Sequence, residues 1–352
     1  MVLTEGQVPT YLISKGLFKQ GEAIDVAPLG GGLVNHLFLA RSSKRAVVLK
    51  QAEPVMKFNR KFRMPQDRVV TEYDALKLWR ALGLPYAPKP LLLDKKRFLL
   101  VMEAVGEGAE MLTFQLMRGK VDVPLLRRLG TTYGRLHGKT RGKSRLKTAF
   151  PMTGGFRMLK IGLYYKDMAE SAKSPKMREL AKRCMEKLEK NRLCFIQGDL
   201  LPKNILVKGN DFFIIDHEVS YYGDPAQDLA VFFSAMVSSA VINWPLRKRY
   251  YRGIREFMKS YKKEAGWGSL FRKIEANSIA YLPANLFGRA CGKVKIDLLD
   301  KKTEKALVRV MERIVAEEPK KIASVFRMVD EEGKALARNK PWKKEAIHGR
   351  LF

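Results

Sequence analysis

Two short apolar runs, Cys194 to Ile196 and Phe212 to Ile215, read as strands, and each stops at an acidic side chain. Asp199 lies just past the first and Asp216 closes the second. Carboxylates at strand ends are where chemistry tends to sit, so these two positions constrain the fold more than any other feature. Asn204 follows Asp199 at the D-x-x-x-x-N spacing. A phosphoryl-transfer site uses that spacing to set a hydroxyl-orienting carboxylate near a metal-holding amide. Glu218, separated from Asp216 by His217 alone, falls on the same side of an extended chain, so both carboxylates can face one Mg²⁺.

The block resembles the catalytic and metal-binding segment of the aminoglycoside phosphotransferase and choline kinase superfamily of small-molecule kinases. That pattern runs HGDxxxxN, then hydrophobic-D-x-E, then GDPxxDLA. The chain reads Gln197-Gly198-Asp199, Asn204, Ile215-Asp216-His217-Glu218, Gly223-Asp224-Pro225 and Asp228-Leu229-Ala230. Gln197 replaces the family's histidine; it can still brace the loop by hydrogen bonds but cannot carry charge. The resemblance implies an α+β, protein-kinase-like bilobal fold, with a small antiparallel β-sheet N-lobe and a larger, mainly helical C-lobe. The expected divisions are a nucleotide-binding lobe over 1–103, a catalytic and substrate lobe over 104–328, and a basic tail over 329–352.

With 352 residues, 46% of them hydrophobic, the chain is long enough for two such lobes. Its three cysteines, Cys184, Cys194 and Cys291, are widely spaced, which argues against a disulfide scaffold or zinc site and for a reducing cytoplasm. The first residues lack a basic segment followed by an apolar one, and the apolar run Leu229 to Ile242 reads as a buried helix rather than a membrane span. The formal charge of +31 would concentrate anions such as ATP, phosphorylated substrates or nucleic acid. Because the basic residues are scattered and form no nucleic-acid module, solvated faces are the favoured reading over RNA or membrane docking.

Towards the N-terminus, Gly30, Gly31 and Gly32 precede Asn35 and an alternating strand, so a glycine loop with exposed N–H groups can lie over phosphates. The run Ala46 to Lys50 is a strand ending in lysine, matching in type and position the kinase strand whose lysine pairs the α- and β-phosphates. Val69 to Leu82 has a helical apolar stripe on Val69, Val70, Tyr73, Leu76, Trp79 and Leu82, and Glu72 on that helix is expected to hold Lys50. The stretch Lys50-Gln51-Ala52-Glu53-Pro54 and the loop leading to Glu72 resemble the methylthioribose kinase branch of the superfamily. Leu91 to Val105 reads as a hairpin about Asp94-Lys95-Lys96, and the resemblance implies that the backbone of Glu103 and Val105 binds the adenine edge.

Further on, helices are expected over Asp122 to His137, Pro175 to Arg192, Pro245 to Glu264, Leu270 to Leu282 and Thr303 to Glu317, with Lys139 to Gly155 a loop. His137 reads as a packing residue and Asp228 as a structural carboxylate able to cap its helix, and the resemblance implies that Asp228 also braces the catalytic loop. The methylthioribose kinase branch carries two adjacent arginines against its sugar; here Gly288 and Arg289 stand in that place, leaving Arg289 as the substrate candidate. The tail has Trp342 as its main aromatic anchor.

Together these residues predict an ATP- and Mg²⁺-dependent kinase of a small hydroxylated molecule. Asp199 would act on the hydroxyl, Asn204, Asp216 and Glu218 would hold the metal, and Lys50, Glu72 and the glycine loop would hold the phosphates. A methylthioribose-like sugar is the first acceptor to consider, with an amino alcohol, ketosamine or aminoglycoside as alternatives. A nucleotide-dependent RNA-binding protein is the reading from another class.

Overall fold

The computed structural model describes residues 2–30, 34–56, 62–296 and 299–336. Gly31, Gly32 and residues 337–352, with Trp342, lie outside the described residues. The chain divides into two compact units: one holds the described residues through Ala109 together with Phe213–Glu218, the other Glu110–Phe212 and the described residues from Val219 onward.

The first unit opens with helix α1 (Val8–Ser14), then strands β1 (Asp25–Pro28), β2 (Asn35–Arg41) and β3 (Ala46–Ala52). Helix α2 (Arg68–Ala81) and strands β4 (Pro90–Asp94) and β5 (Leu99–Glu103) complete it. The five strands form one sheet in the order β1-β2-β3-β5-β4, with every pairing antiparallel. Strand alternation sets what each face carries. Phe38 lies opposite Leu49, Ala40 opposite Val47 and Leu49 opposite Val101, so these side chains share one face and bury against Val8, Tyr11 and Leu12 of α1. Lys50, paired with Leu37 and Leu100, is thereby turned to the other face.

Helix α2 packs on β3, β4 and β5. Its buried residues are Arg68, Val69, Glu72, Ala75, Leu76 and Trp79, so the face turned inward is rotated from the apolar stripe expected from the sequence. Val70 and Tyr73 are only half-buried, and two charged side chains take part in the buried stripe. Ion pairing made inside the unit offsets the desolvation that such a rotation costs.

The second unit is mainly helical. A short strand β6 (Glu110–Met111) leads into α3 (Leu112–Met117), α4 (Val123–Thr140), α5 (Ser144–Ala149) and the single turn α6 (Gly154–Phe156). The segment Lys139 to Gly155, expected as a loop, therefore contains helical turns too short for a periodic signal to expose. A π-helical segment, Arg157–Lys166, follows, and then α7 (Asp167–Ser171) and α8 (Pro175–Lys190). Next come β7 (Cys194–Ile196), β8 (Ile205–Lys208), β9 (Asp211–Ile214), which leaves the unit at Phe212, and β10 (Tyr221–Gly223). The remaining helices are α9 (Pro225–Ile242), α10 (Arg247–Ala265), α11 (Leu270–Ala290), α12 (Lys301–Glu317) and α13 (Ile322–Glu332).

Helices α4 and α10 meet along a glycine seam: a Cβ on Gly134 would lie 2.8 Å from the carbonyl oxygen of Tyr261. The approach therefore requires glycine, which brings two backbones within a distance that side chains forbid. All of α9 is buried; it is long and apolar enough to cross a membrane, yet every residue of it lies inside the unit. Helix α11 continues through Pro283 to Ala290 rather than ending at Leu282 as expected. Asn285 Nδ2 bonds the Tyr281 carbonyl at 2.9 Å, engaging a backbone acceptor near the proline. Residues 329–332 of the expected tail belong to α13, and Leu336 is buried.

Candidate active site

In the first unit the functional residues form one ionic cluster. Lys50 Nζ lies 2.6 Å from Glu72 Oε2, 2.7 Å from Asp216 Oδ1 and 3.3 Å from Glu218 Oε2. Asn35 Nδ2 donates to Glu218 Oε2 at 2.8 Å, and Arg68 Nε lies 3.3 Å from the same oxygen. Arg68 is wholly buried; its guanidinium also donates to Asn35 Oδ1 at 2.9 Å, to the Pro65 carbonyl at 2.6 Å and to the Val34 carbonyl. Sequence reasoning missed Arg68, which stands at the edge of the apolar stripe and gave no signal of burial.

Backbone geometry fixes the two metal candidates. Asp216 has φ 64°, the left-handed region that aspartate tolerates better than most residues. The next residue, His217, donates its backbone N–H to Glu72 Oε1 at 3.2 Å, while its ring packs edge-on to Trp79. Burial alone would lower the Lys50 ammonium, but the facing carboxylates of Asp216, Glu218 and Glu72 outweigh it and hold the group well above an ordinary lysine. Burial raises the Glu72 carboxyl to about 7, opposed by Lys50 and reinforced by Asp216 and Glu218.

Oxygens of Glu72, Asp216 and Glu218 all lie within 4.8 Å of one another. The three carboxylates offer hard oxygen donors, the set that Mg²⁺ prefers. The residues present therefore fit that ion. Asp216 is the accessible donor, its side chain 32% exposed, whereas Glu218 is 5% exposed and already holds Asn35, Lys50 and Arg68. Gly30 lies two residues beyond β1, with open space where a Cβ would lie. Glu103 ends β5, and its N–H is engaged by the Lys89 carbonyl at 2.9 Å; Val105 follows in the connection beyond β5.

The second unit carries Asp199, Asn204 and Arg289. Strand β7 pairs antiparallel with β10, and the chain turns at Gly198, whose φ is 82° and whose Cβ, if present, would lie 2.6 Å from the Val219 carbonyl oxygen. Asp228 braces this turn: Oδ2 accepts the Gln197 N–H at 3.0 Å and Oδ1 the Gly198 N–H at 2.7 Å. The expected cap is supplied by another residue, since Asp224 accepts the Ala226 N–H at the head of α9. His137 is buried between Asp228, at 3.2 Å, and the Tyr261 hydroxyl, at 2.9 Å. The Gln197 side chain accepts from the Tyr133 hydroxyl, and its backbone carbonyl from Ser220.

Asp199 itself is 6% exposed. Asn204 Nδ2 donates to its carbonyl at 3.0 Å and to Oδ2 at 3.2 Å, while Lys160 Nζ pairs with Oδ1. Nothing in the sequence singled out Lys160, which reaches Asp199 from the π-helical segment. Arg289 lies in the last turn of α11, with Nε buried and without a hydrogen-bond partner among the described residues. Burial pulls its guanidinium down, while Tyr164 and the charge of Asp199 act in the opposite sense.

A strand-borne lysine clasped by a helix glutamate, and an Asp–Asn pair on a glycine turn, are the parts of a protein-kinase-like phosphotransferase fold. The chain belongs to the phosphotransferase enzyme family, whose sequence profile matches residues 25–259. It is 26% identical over 261 residues to 4-hydroxytryptamine kinase of Psilocybe cubensis, covering 65% of this chain and 72% of that protein. Methylthioribose kinase of Geobacillus kaustophilus is 23% identical over 274 residues, 70% of this chain and 69% of its own. Among solved structures, a spectinomycin phosphotransferase bound to ADP and spectinomycin superposes with a TM-score of 0.53 at 11% identity, covering 94% of this chain and 100% of that one. A choline/ethanolamine kinase family protein from Mesorhizobium loti gives 0.51 at 16% identity over 99% of each chain. These likenesses carry the fold.

Proposed function

We propose that the protein transfers the γ-phosphoryl group of ATP, in the presence of Mg²⁺, to a hydroxyl of a small molecule. The observation that carries this reading is Lys50, held at 2.6 Å by Glu72 and at 2.7 Å by Asp216 on the face of the sheet opposite the α1 core. In the first unit Lys50 grips phosphate oxygens, Glu72 fixes its ammonium, and the glycine loop from Gly30 to Gly32 with Asn35 completes the phosphate side. Glu103 and Val105 offer backbone groups to the adenine. Asp216 and Glu218 would hold Mg²⁺, which when bound neutralises charge developing on the transferred group, and Asn204 is the metal candidate of the second unit.

In the second unit Asp199 orients the acceptor hydroxyl and takes its proton, and Arg289 binds the acceptor. The hydroxyl oxygen bonds to the γ-phosphorus as the bond to the β-bridging oxygen breaks, so no covalent enzyme intermediate is needed. A methylthioribose-like sugar is the acceptor to test first, given the similarity to methylthioribose kinase. The free thiols of Cys184, Cys194 and Cys291 suit a cytoplasmic setting.

Calorimetry with ATP tests the donor side. Wild-type protein should bind ATP more tightly with Mg²⁺ than without, and Asp216→Ala should lose most of that difference, a fall of about tenfold or more. Equal, Mg²⁺-independent affinities in both proteins would overturn the assignment.

A further inference from the structure

Basic residues that look scattered along the sequence gather on one helix of the second unit. Helix α10 buries Tyr250, Ile254, Phe257, Met258 and Tyr261, and each of its seven exposed residues is a lysine or an arginine. Lys248, Arg252, Arg255, Lys259 and Lys262 follow the i, i+4, i+7, i+11, i+14 spacing that sets side chains in one line along a helix, with Arg249 and Lys263 on its flank. From Lys248 to Lys263 the line runs about 22 Å at the helical rise.

No carboxylate of the helix answers this line. Its two acids, Glu256 and Glu264, are half-buried and held by α4: Arg127 Nη2 lies 3.0 Å from Glu256 Oε2, and Arg135 Nε 2.9 Å from Glu264 Oε2. Asp330, which reaches α10 from α13, pairs with Arg247, outside the exposed set. None of the seven cations forms an ion pair among the described residues; Arg255 and Lys262 lie over the rings of Phe326 and Phe271, 5.2 Å and 5.3 Å from their centres. Helix α4 adds no acid of its own, because the chain has no Asp or Glu from Val123 to Lys166. Past the C-terminal end of α10, Arg141 donates to the Gly266 carbonyl at 3.1 Å and stands 5.0 Å from the centre of the Trp267 ring, which extends the cationic surface. Neighbours three and four apart along the line repel one another, a cost to the helix that a bound polyanion would relieve.

We propose that this face of α10 docks the phosphate backbone of a nucleic acid, a role separate from phosphoryl transfer. A line of about 22 Å spans about six phosphates of one strand at about 3.4 Å each. Arg249, Arg252 and Arg255 bring planar forks that match phosphate oxygens. The aromatic rings of α10 are buried, so the face has no platform on which bases stack, and its contacts position a backbone without reading sequence. A bilayer suits the face less well: no apolar side chain of α10 is exposed to enter the acyl region.

The test is fluorescence anisotropy of the full chain with a labelled single-stranded RNA and a DNA duplex, each of about 20 nucleotides a strand, across a range of salt concentrations. At least one probe should bind, whatever its base sequence, with log affinity falling against log salt at a slope of about −4 to −5, as six phosphate contacts imply. Joint Lys248→Gln, Arg252→Gln, Lys259→Gln and Lys263→Gln should weaken binding about tenfold or more and flatten the slope by about 3. The unfolding midpoint of that variant should stay at or above wild type, since like-charged neighbours are removed. Joint Lys19→Gln, Lys44→Gln, Lys95→Gln and Lys96→Gln takes the same charge from exposed lysines of the first unit and should bind within about threefold of wild type.

Equal losses in the two variants would assign the binding to net charge alone and overturn the proposal, as would failure of both probes to bind at physiological salt. Preference for phosphatidylserine vesicles over both probes, lost in the α10 variant, would give the face to a membrane and overturn it too. None of these outcomes bears on the kinase reading, which calorimetry with MgATP tests separately.

Discussion

The two charged clusters are built on opposite principles. In the first unit Lys50, Arg68, Asn35, Glu72, Asp216 and Glu218 hold one another in a closed network, and Glu218 alone accepts from Asn35 and pairs with the charges of Lys50 and Arg68. In the second, Asp199 is met by one lysine and one amide, and the guanidinium of Arg289 keeps a buried nitrogen without a partner among the described residues. A closed network fixes geometry before a ligand arrives, which, on the function proposed above, would suit a donor whose phosphates are always the same. An incomplete one leaves bonds for a ligand to make, which on the same proposal would suit the selection of an acceptor.

Breaking the closed network should have the largest effect. Lys50→Met leaves Glu72, 1% exposed, facing two other carboxylates without its cation, and should cost about 3–5 kcal/mol of stability in urea unfolding. A loss under about 1 kcal/mol would mean that the network is not held together by that lysine. Asp199→Asn attacks the other cluster, at the carboxylate that pairs with buried Lys160. Turnover should fall about 10²–10⁴-fold while ATP affinity stays near wild type, because a positioned base is lost and an isosteric amide remains. Steady-state kinetics that change less than about threefold would remove Asp199 from proton transfer. The smallest effect is expected away from both clusters: Asp300 caps α12 by accepting the Thr303 N–H at 2.7 Å, and Asp300→Ala should lower stability by about 1 kcal/mol with kcat unchanged. A change in kcat there would show that the acceptor side depends on α12.

Much of this arrangement was legible because its signals are local. The alternation around Lys50, the carboxylates two or three residues past β7 and β9 and the spacing from Asp199 to Asn204 are each set within a few residues, so strands and candidate site could be read together. The sequence also placed Glu72 on a helix, but the apolar stripe suggested a different inward face. Burying Glu72 and Arg68 is favourable only once Lys50, Asn35 and Glu218 are in reach, and these lie far away along the chain. The segment Arg157–Lys166 gave no periodic signal, since π-helical winding departs from the 3.6-residue repeat.

What the chain determined by itself is therefore the short-range chemistry: which strands end in carboxylates, which glycine permits the turn before Asp199, and which family these patterns belong to. Only the tertiary structure decided which charges answer one another. The partners of Arg68 and Lys160, and the Tyr164 ring that fills the space beside Gly288, come from segments distant in sequence. Close packing, which has no one-dimensional signature, brings them within bonding distance.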